Sequence, residues 1–261
     1  MSASKPEIVL IGGAWHYPES YAKFRTSLES QLGLPVHIPQ LTTMNGARPP
    51  TADLYTDTAA IRQFVTGLAD EGRSLVVLMH SYGGQVGTNA LTGLGADARK
   101  QQGLSGGVSQ LIYICAHALS EGQSVFKVIE QSGHGEIIPF MFDYAEDGTC
   151  LPRDAKGVVG PGLSDEELEA FLASLGRWNS KTFGQPIERC AWRDIPVSYI
   201  HTLNDSVLPL AYQKAFVGGM EAAGRRVRVF DVETGHCPTI TMPEEVAKIV
   251  QQVVEGVAVQ T

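Results

Sequence analysis

The stretch VVLMHSYGGQVG, residues 76–87, runs from an apolar block into a serine preceded by a histidine and followed by glycines. A nucleophilic serine on a parallel sheet sits in a sharp turn between a strand and a helix, where strained backbone angles lift its Oγ above the sheet edge. Such a turn has room only for small neighbours. Val76 to Met79 read as the strand, Gly83 and Gly84 open the next helix, and Gly87 recurs one turn later. The usual pentapeptide is Gly-x-Ser-x-Gly, whereas here it is Met79-His80-Ser81-Tyr82-Gly83. A methionine in the first glycine's place crowds the turn unless the packing around it opens.

Serine needs a base to take its proton and an acid to orient that base. Both should come from loops at the carboxyl edge of the sheet, where ligands bind in open α/β folds. After PVSYIHT (196–202) the chain continues LNDSVLP, placing Asp205 just past a strand end. After RVRVFDV (226–232) it continues ETGHCP, placing His236 likewise. The expected catalytic set is therefore Ser81, Asp205 and His236. Asp231 is nearer the histidine in sequence but lies within a strand, where pleat alternation sets its direction. Of His16, His37, His80, His117, His134 and His201, none follows the last strand. His80 is assigned wall or packing duty, and His117, just past a strand end, is a candidate for the pocket wall.

Attack on a carbonyl also needs donors for the oxygen that becomes negative. The N–H of Tyr82, the residue after the serine, is one expected donor. The other should come from the loop after the first strand, IGGAWHYPESY (11–21), where Gly12 and Gly13 let the backbone approach a ligand and Ala14 presents its N–H. Losing one such donor in a serine protease raises the barrier by about 3 kcal/mol. Trp15, His16 and His117 are the candidate pocket residues; Trp15, Tyr17 and Tyr82 also cluster near the proposed site and suit either a pocket or the core.

These loops must be carried by a scaffold, and the apolar runs supply one. EIVLIG (7–12), PVHIP (35–39), SLVVLM (74–79), SQLIYICA (109–116), PVSYIHT and RVRVFDV are mostly continuous, as in strands buried on both faces of a parallel sheet. Between them lie amphipathic helices. The clearest spans Asp53 to Glu71, with Ile61, Phe64, Val65 and Leu68 on one stripe. A last helix starts at Pro243, with Val246, Ile249, Val250 and Val253 on one face. The alternation predicts a doubly wound, mostly parallel α/β sheet.

About 80 residues between Ala116 and Pro196 break that rhythm and predict an inserted, mainly helical cap. Within it, SDEELEAFLASLG (164–176) carries a capping box from Ser164 to Glu167 and a stripe of Leu168, Phe171, Leu172 and Leu175. PFMFDYAEDGTCLPRD (139–154) looks like two extended pieces joined at Asp147-Gly148. The expected division is one core, 1–118 with 191–261, and a cap at 119–190.

Composition excludes several classes. At 261 residues and 43% hydrophobic, the chain can fill a substantial core, and a net charge of −8 argues against a nucleic-acid partner. No segment approaches the roughly 18 apolar residues of a membrane span, the N-terminus lacks a signal-peptide pattern, and the terminal GVAVQT matches no common retention or peroxisomal signal. Cysteines 115, 150, 190 and 237 are widely spaced with no CxxC pair, so reduced thiols in a cytoplasmic protein are expected. There is no GxGxxG, no GxxxxGK[ST] and no HExxH, which leaves dinucleotide binding, nucleotide hydrolysis and zinc proteolysis without their signatures.

Together these residues resemble the α/β-hydrolase superfamily, and within it the small esterase branch that includes plant methylesterases and hydroxynitrile lyases. IGGAWH resembles that branch's oxyanion loop, usually His-Gly-Ala, with Gly12 in the histidine's place; HSYGG resembles its elbow, NDSVLP its acid loop and GHCP its histidine loop. The resemblance covers residues 7 to 256, the cap by position and length alone. It implies two-step acyl transfer on a carboxylic ester, lactone or thioester, with no metal or organic cofactor and a small-molecule substrate as partner. A serine at position 81 is unlike the aspartate of the related dehalogenases and epoxide hydrolases. Cys237 stands where hydroxynitrile lyases of this branch have lysine, which counts against cyanohydrin cleavage. Two other functions remain open at this level: a lyase, cyclase or C–C bond cleaving enzyme using His236 as base, and a ligand-binding receptor with an idle triad. Substrate, oligomeric state and cap conformation are not written in the sequence; a modest-sized metabolite of secondary metabolism is the expected substrate.

Overall fold

The computed structural model describes residues 5–256. Both chain ends discussed above, residues 1–4 and 257–261, lie outside the described residues. The first half alternates strand and helix: β1 (Glu7–Ile11), α1 (Ala22–Leu32), β2 (Val36–His37), α2 (Leu54–Asp70), β3 (Ser74–His80), α3 (Tyr82–Ala90), α4 (Ala96–Gln101) and β4 (Gly107–Ile114). A long excursion follows, with α5 (Val125–Gln131), β5 (Phe142–Tyr144), β6 (Thr149–Pro152), α6 (Ala155–Val159), α7 (Asp165–Ser174) and β7 (Trp178–Asn179). The chain then returns through β8 (Val197–Thr202), α8 (Leu210–Ala222), β9 (Val227–Val232), α9 (Pro238–Thr241) and α10 (Pro243–Val254).

The main sheet runs β2-β1-β3-β4-β8-β9, and every pairing in it is parallel. Its strands read as unbroken apolar runs because both faces are covered. Ile8, Leu10, Val76 and Leu78 point to one side, where Phe24 and Leu28 of α1 and Val246 and Val250 of α10 meet them. Val9, Ile11, Val77 and Met79 point to the other, onto Ile61 and Val65 of α2 and Val86 and Ala90 of α3. Each such aliphatic chain contributes roughly 1.5–3 kcal/mol by leaving water. From β1 the chain moves outward to β2, then crosses back to β3, so α1 and α3 lie on opposite faces. The loops after β1 and β3 therefore part at the carboxyl edge and leave a crevice there.

Local chemistry fixes the element ends. Asp53 caps α2, accepting the Tyr55 and Thr56 N–H groups while the Thr56 hydroxyl reaches back, and Ser164 with Glu167 forms the expected box on α7. Two expectations change. The second strand is only Val36–His37, because Pro35 and Pro39 bracket it and β1 is its only neighbour. Phe64 belongs to the rim of α2 and not to its buried stripe: it is 36% exposed and meets the His37 ring at 6.0 Å, while Leu54, Ile61, Val65 and Ala69 face the core.

The excursion between β4 and β8 is mainly helical and includes a small antiparallel sheet, β5-β6-β7. The expected turn at Asp147-Gly148 joins β5 to β6. Gly148 takes φ +86°, open to glycine, and the Asp147 carboxylate accepts the Thr149 N–H and hydroxyl. Trp178 on β7 buries fully and donates its indole N–H to Thr43 at 3.0 Å, fastening the excursion to the loop before α2.

Candidate active site

Ser81 lies between the last residue of β3 and the first of α3, at φ 53° and ψ −120°. A non-glycine residue held there is strained, and persists because both flanking elements are fixed by packing. The crowding expected of Met79 is relieved one turn along α3. A β-carbon on Gly87 would strike the methionine Sδ, and one on Gly83 would strike the Ile11 carbonyl. The glycines thus let α3 descend onto β1 and β3 with the methionine fully buried beneath.

The three side chains expected from separate loops meet. His236 Nε2 lies 2.8 Å from Ser81 Oγ, and His236 Nδ1 lies 2.8 Å from Asp205 Oδ2. An ionised Asp205 fixes the tautomer, with Nδ1–H donating to the carboxylate and Nε2 left to accept the serine proton. Asp205 is itself held. Its Oδ1 accepts the Val207 and Leu208 N–H groups, both at 2.8 Å, and its Oδ2 accepts the Thr202 hydroxyl at 2.8 Å and the Gln213 amide at 3.4 Å. Burial by itself would raise this carboxyl, but His236 and the donor N–H groups outweigh it and hold the acid below its ordinary value. Asp231 instead stands opposite His201 in the β8–β9 pairing, 3.0 Å from its Nδ1.

A second chain of bonds ties the loops together, and it runs through a residue not anticipated from sequence. The Gly13 N–H donates to the Tyr21 hydroxyl at 2.7 Å, and that hydroxyl donates to His80 Nδ1 at 2.9 Å. His80 Nε2–H then donates to the backbone carbonyl of His236 at 2.9 Å. The Cys115 thiol reaches the same carbonyl at 3.2 Å. Burial drives His80 well below the usual imidazole value, so the ring stays neutral with the one proton this relay requires. The packing duty expected of His80 is thus a bridge between the loop after β1 and the loop after β9.

Ala14 and Trp15 occupy the loop after β1, and Trp15 adopts φ 65°, a second strained non-glycine residue beside the strained serine. Cys115, the residue after β4, takes φ 37°. Neither the Ala14 nor the Tyr82 N–H donates to another group among the described residues, which leaves both available. The Tyr82 side chain points inward and is fully buried. Its hydroxyl donates to Asp57 at 2.9 Å, and its ring meets Trp178 at 4.7 Å. Asp57 collects the Thr42 and Thr43 hydroxyls as well, and burial raises its carboxyl despite them.

A cavity of about 330 Å³ opens beside Ser81. Trp15 and His117 line it, together with Val125, Phe142, Phe183 and Leu208. His16, expected on this wall, is not there. Its Nδ1–H turns back onto the Ala14 carbonyl at 2.6 Å, its ring packs on Phe171 at 5.6 Å, and burial pushes it down to about 4. Tyr17 is half-buried and is not a lining residue either. The lining residues Val207 and Leu208 follow directly on Asp205, a proximity that would have revealed them; Phe142 and Phe183 carry no such signal. Among the described residues, Cys115, Asp205 and His236 alone place three potential metal ligands within 4.8 Å, and their bonds to each other and to the His236 carbonyl already occupy them.

Comparison with known proteins places the chain in a family. The chain is 28% identical over 254 residues to the probable hydrolase R7 of Phoma sp., covering 95% of this chain and 98% of that one. It is 27% identical over 256 residues to the alpha/beta hydrolase nvfD of Aspergillus novofumigatus, covering 95% and 96%. Its fold matches a pyrethroid hydrolase from Sphingobium faniae JZ-2 with a TM-score of 0.70 at 22% identity, over 97% of this chain and 98% of that one. The model of the alpha/beta hydrolase family matches residues 8–249, and the chain belongs to that family.

Proposed function

We propose that the protein is a serine hydrolase that cleaves small-molecule carboxylic esters, lactones or thioesters through an acyl-enzyme on Ser81. One observation carries this reading: a strained elbow serine 2.8 Å from an imidazole that is itself 2.8 Å from a buried, hydrogen-bonded carboxylate. His236 takes the proton as Ser81 Oγ attacks the ester carbonyl, and Asp205 stabilises the imidazolium that forms. The negative oxygen is met by the N–H groups of Ala14 and Tyr82. Collapse expels the alcohol, which leaves with the proton from His236. Water then enters, loses a proton to the same imidazole, attacks the acyl carbon and releases the acid and Ser81.

The segment 119–190 acts here as a cap whose apolar side chains receive the non-reacting part of the substrate. No helix among the described residues is long and apolar enough to cross a membrane. All four cysteines are buried and free, which supports work in the reducing cytoplasm. The test is hydrolysis of p-nitrophenyl butyrate by the wild-type protein and by Ser81→Ala. Turnover lost in a variant that melts like wild type supports the reading; turnover retained rejects it.

A further inference from the structure

The cavity wall beside Ser81 carries one polar ring with no hydrogen-bond partner among the described residues. His117 follows the strained Cys115 at the end of β4, and its backbone N–H donates to the Ser81 carbonyl at 3.2 Å, seating it directly on the elbow. The residue is 5% exposed, and its ring meets Phe183 at 5.4 Å and Phe216 at 6.2 Å. Nδ1 is buried without a hydrogen-bond partner, and no side chain or backbone group among the described residues bonds Nε2. The Ser81 carbonyl, which accepts the His117 backbone N–H, is close enough to the ring to favour its charged form, yet it makes no hydrogen bond of sound geometry with Nδ1.

The other polar residues on the wall differ. Asp154 caps α6, Ser206 donates to the Gly157 carbonyl, Tyr212 bonds Ser132 and His134, and Arg153 reaches the Phe142 carbonyl. Arg153, Asp154 and Ser206 are exposed, whereas His117 sits beside the nucleophile among Val125, Ile129, Phe183 and Leu208. A buried polar atom without a partner costs stability, and a site that keeps one invites a ligand group to satisfy it.

The state of the ring selects that group. Burial drives His117 down to about 3, with the charge of His236 adding and the Ser81 carbonyl and Asp205 opposing, so the imidazole is neutral at working pH. A carboxylate on the substrate would find no positive charge to offset its desolvation, and, being an acceptor only, would fit a single tautomer. A keto oxygen would fit only the tautomer with a proton facing the cavity. A hydroxyl donates and accepts, and so pairs with either tautomer.

We propose that His117 is a specificity-determining residue that hydrogen-bonds a hydroxyl group on an otherwise apolar ester, so that the enzyme selects hydroxylated substrates over their deoxy counterparts. This rests on the esterase reading of Ser81. A deoxy substrate leaves this one neutral buried group unpaired, and the discrimination is expected at roughly tenfold to hundredfold in kcat/KM.

The experiment measures methyl phenylacetate beside its 2-, 3- and 4-hydroxy ring isomers in wild type, His117→Phe and His117→Gln, with melting curves to confirm folding. Wild type should prefer at least one isomer over the parent by about tenfold or more. His117→Phe should bring that ratio to near one, chiefly through KM, and His117→Gln, which keeps a polar amide, should retain part of it. A purely structural role would move all four esters together and leave the ratio intact, and that result overturns the proposal. So does a wild type that treats the parent as well as every isomer. Calorimetric binding of the same four esters to Ser81→Ala reads the preference without turnover. Selective binding with no hydrolysis by wild type would reject the esterase reading and keep the hydroxyl contact, whereas hydrolysis without selectivity would do the reverse.

Discussion

The floor and the roof of the cavity are built on opposite principles. On the floor, Ser81, His236, Asp205, His80, Tyr21 and Gly13 form two hydrogen-bonded chains that share His236, and every link except Gly13–Tyr21 joins residues at least 31 positions apart. On the roof, Val125, Ile129, Phe142 and Phe183 meet the cavity with apolar surface, and Phe183 packs in turn on Phe142 and Phe126. Directional bonds fix atoms to fractions of an ångström, which proton transfer requires, while apolar packing fixes only shape and volume. Floor substitutions should therefore act on kcat, and roof substitutions on KM and stability.

The largest expected effect is that of Ser81→Ala, which should lower kcat by about 10⁴-fold to 10⁶-fold while the protein still folds, as followed with p-nitrophenyl butyrate. Asp205→Asn keeps the shape but offers an amide that favours the wrong histidine tautomer, and should cost about 10³-fold to 10⁴-fold in kcat. Tyr21→Phe touches no reacting group. It removes the hydroxyl between Gly13 and His80, and should lower kcat about tenfold with KM nearly constant as the loop after β1 loses its anchor. Phe183→Ala tests the roof: KM should rise with kcat little changed, and unfolding should show a loss of about 3 kcal/mol. Should Phe183→Ala depress kcat more than Tyr21→Phe does, the division between floor and roof is wrong.

A smaller and more general effect concerns pH. His16, His80 and His117 are buried and hold their protons less tightly than an unfolded chain, whose histidines titrate near 6.5. Below that value the unfolded state binds protons that the folded state refuses, so stability falls as pH drops from 6.5 towards 4. Each histidine contributes a slope of at most about 1.4 kcal/mol per pH unit. Asp57 works in the opposite sense, because its raised carboxyl binds a proton more readily when folded. Denaturant midpoints at pH 7, 6 and 5 should decline in turn, and the decline should lessen in His16→Phe.

Much of the floor was legible in the sequence because topology alone constrains it. Asp205 and His236 each follow a strand end, and Ser81 sits in a strand-to-helix turn, so knowing where strands stop locates all three side chains. The relay through Tyr21 was not legible, since its bond to His80 joins positions 59 apart and depends on two side chains packing across β1. The accommodation of Met79 was hidden for the same reason: Gly87 gives it space, and only helix packing reveals which glycine does so. Proximity to the loop predicts His16 on the wall, but loop backbones turn within one residue, and Trp15 at φ 65° turns this one. The roof was the least legible region. Its lining comes from α5, β5 and the segment after β7, whose apolar residues look in sequence like any others that are buried.

The most direct test of the account is peptide mapping after reaction with a fluorophosphonate, in wild type and in His236→Ala. The account predicts a single stoichiometric adduct on the peptide containing Ser81, formed rapidly in wild type and at least about 10³-fold more slowly in the variant. Ester hydrolysis by a folded protein whose Ser81 remains unlabelled, or equal labelling rates in the two proteins, would contradict it.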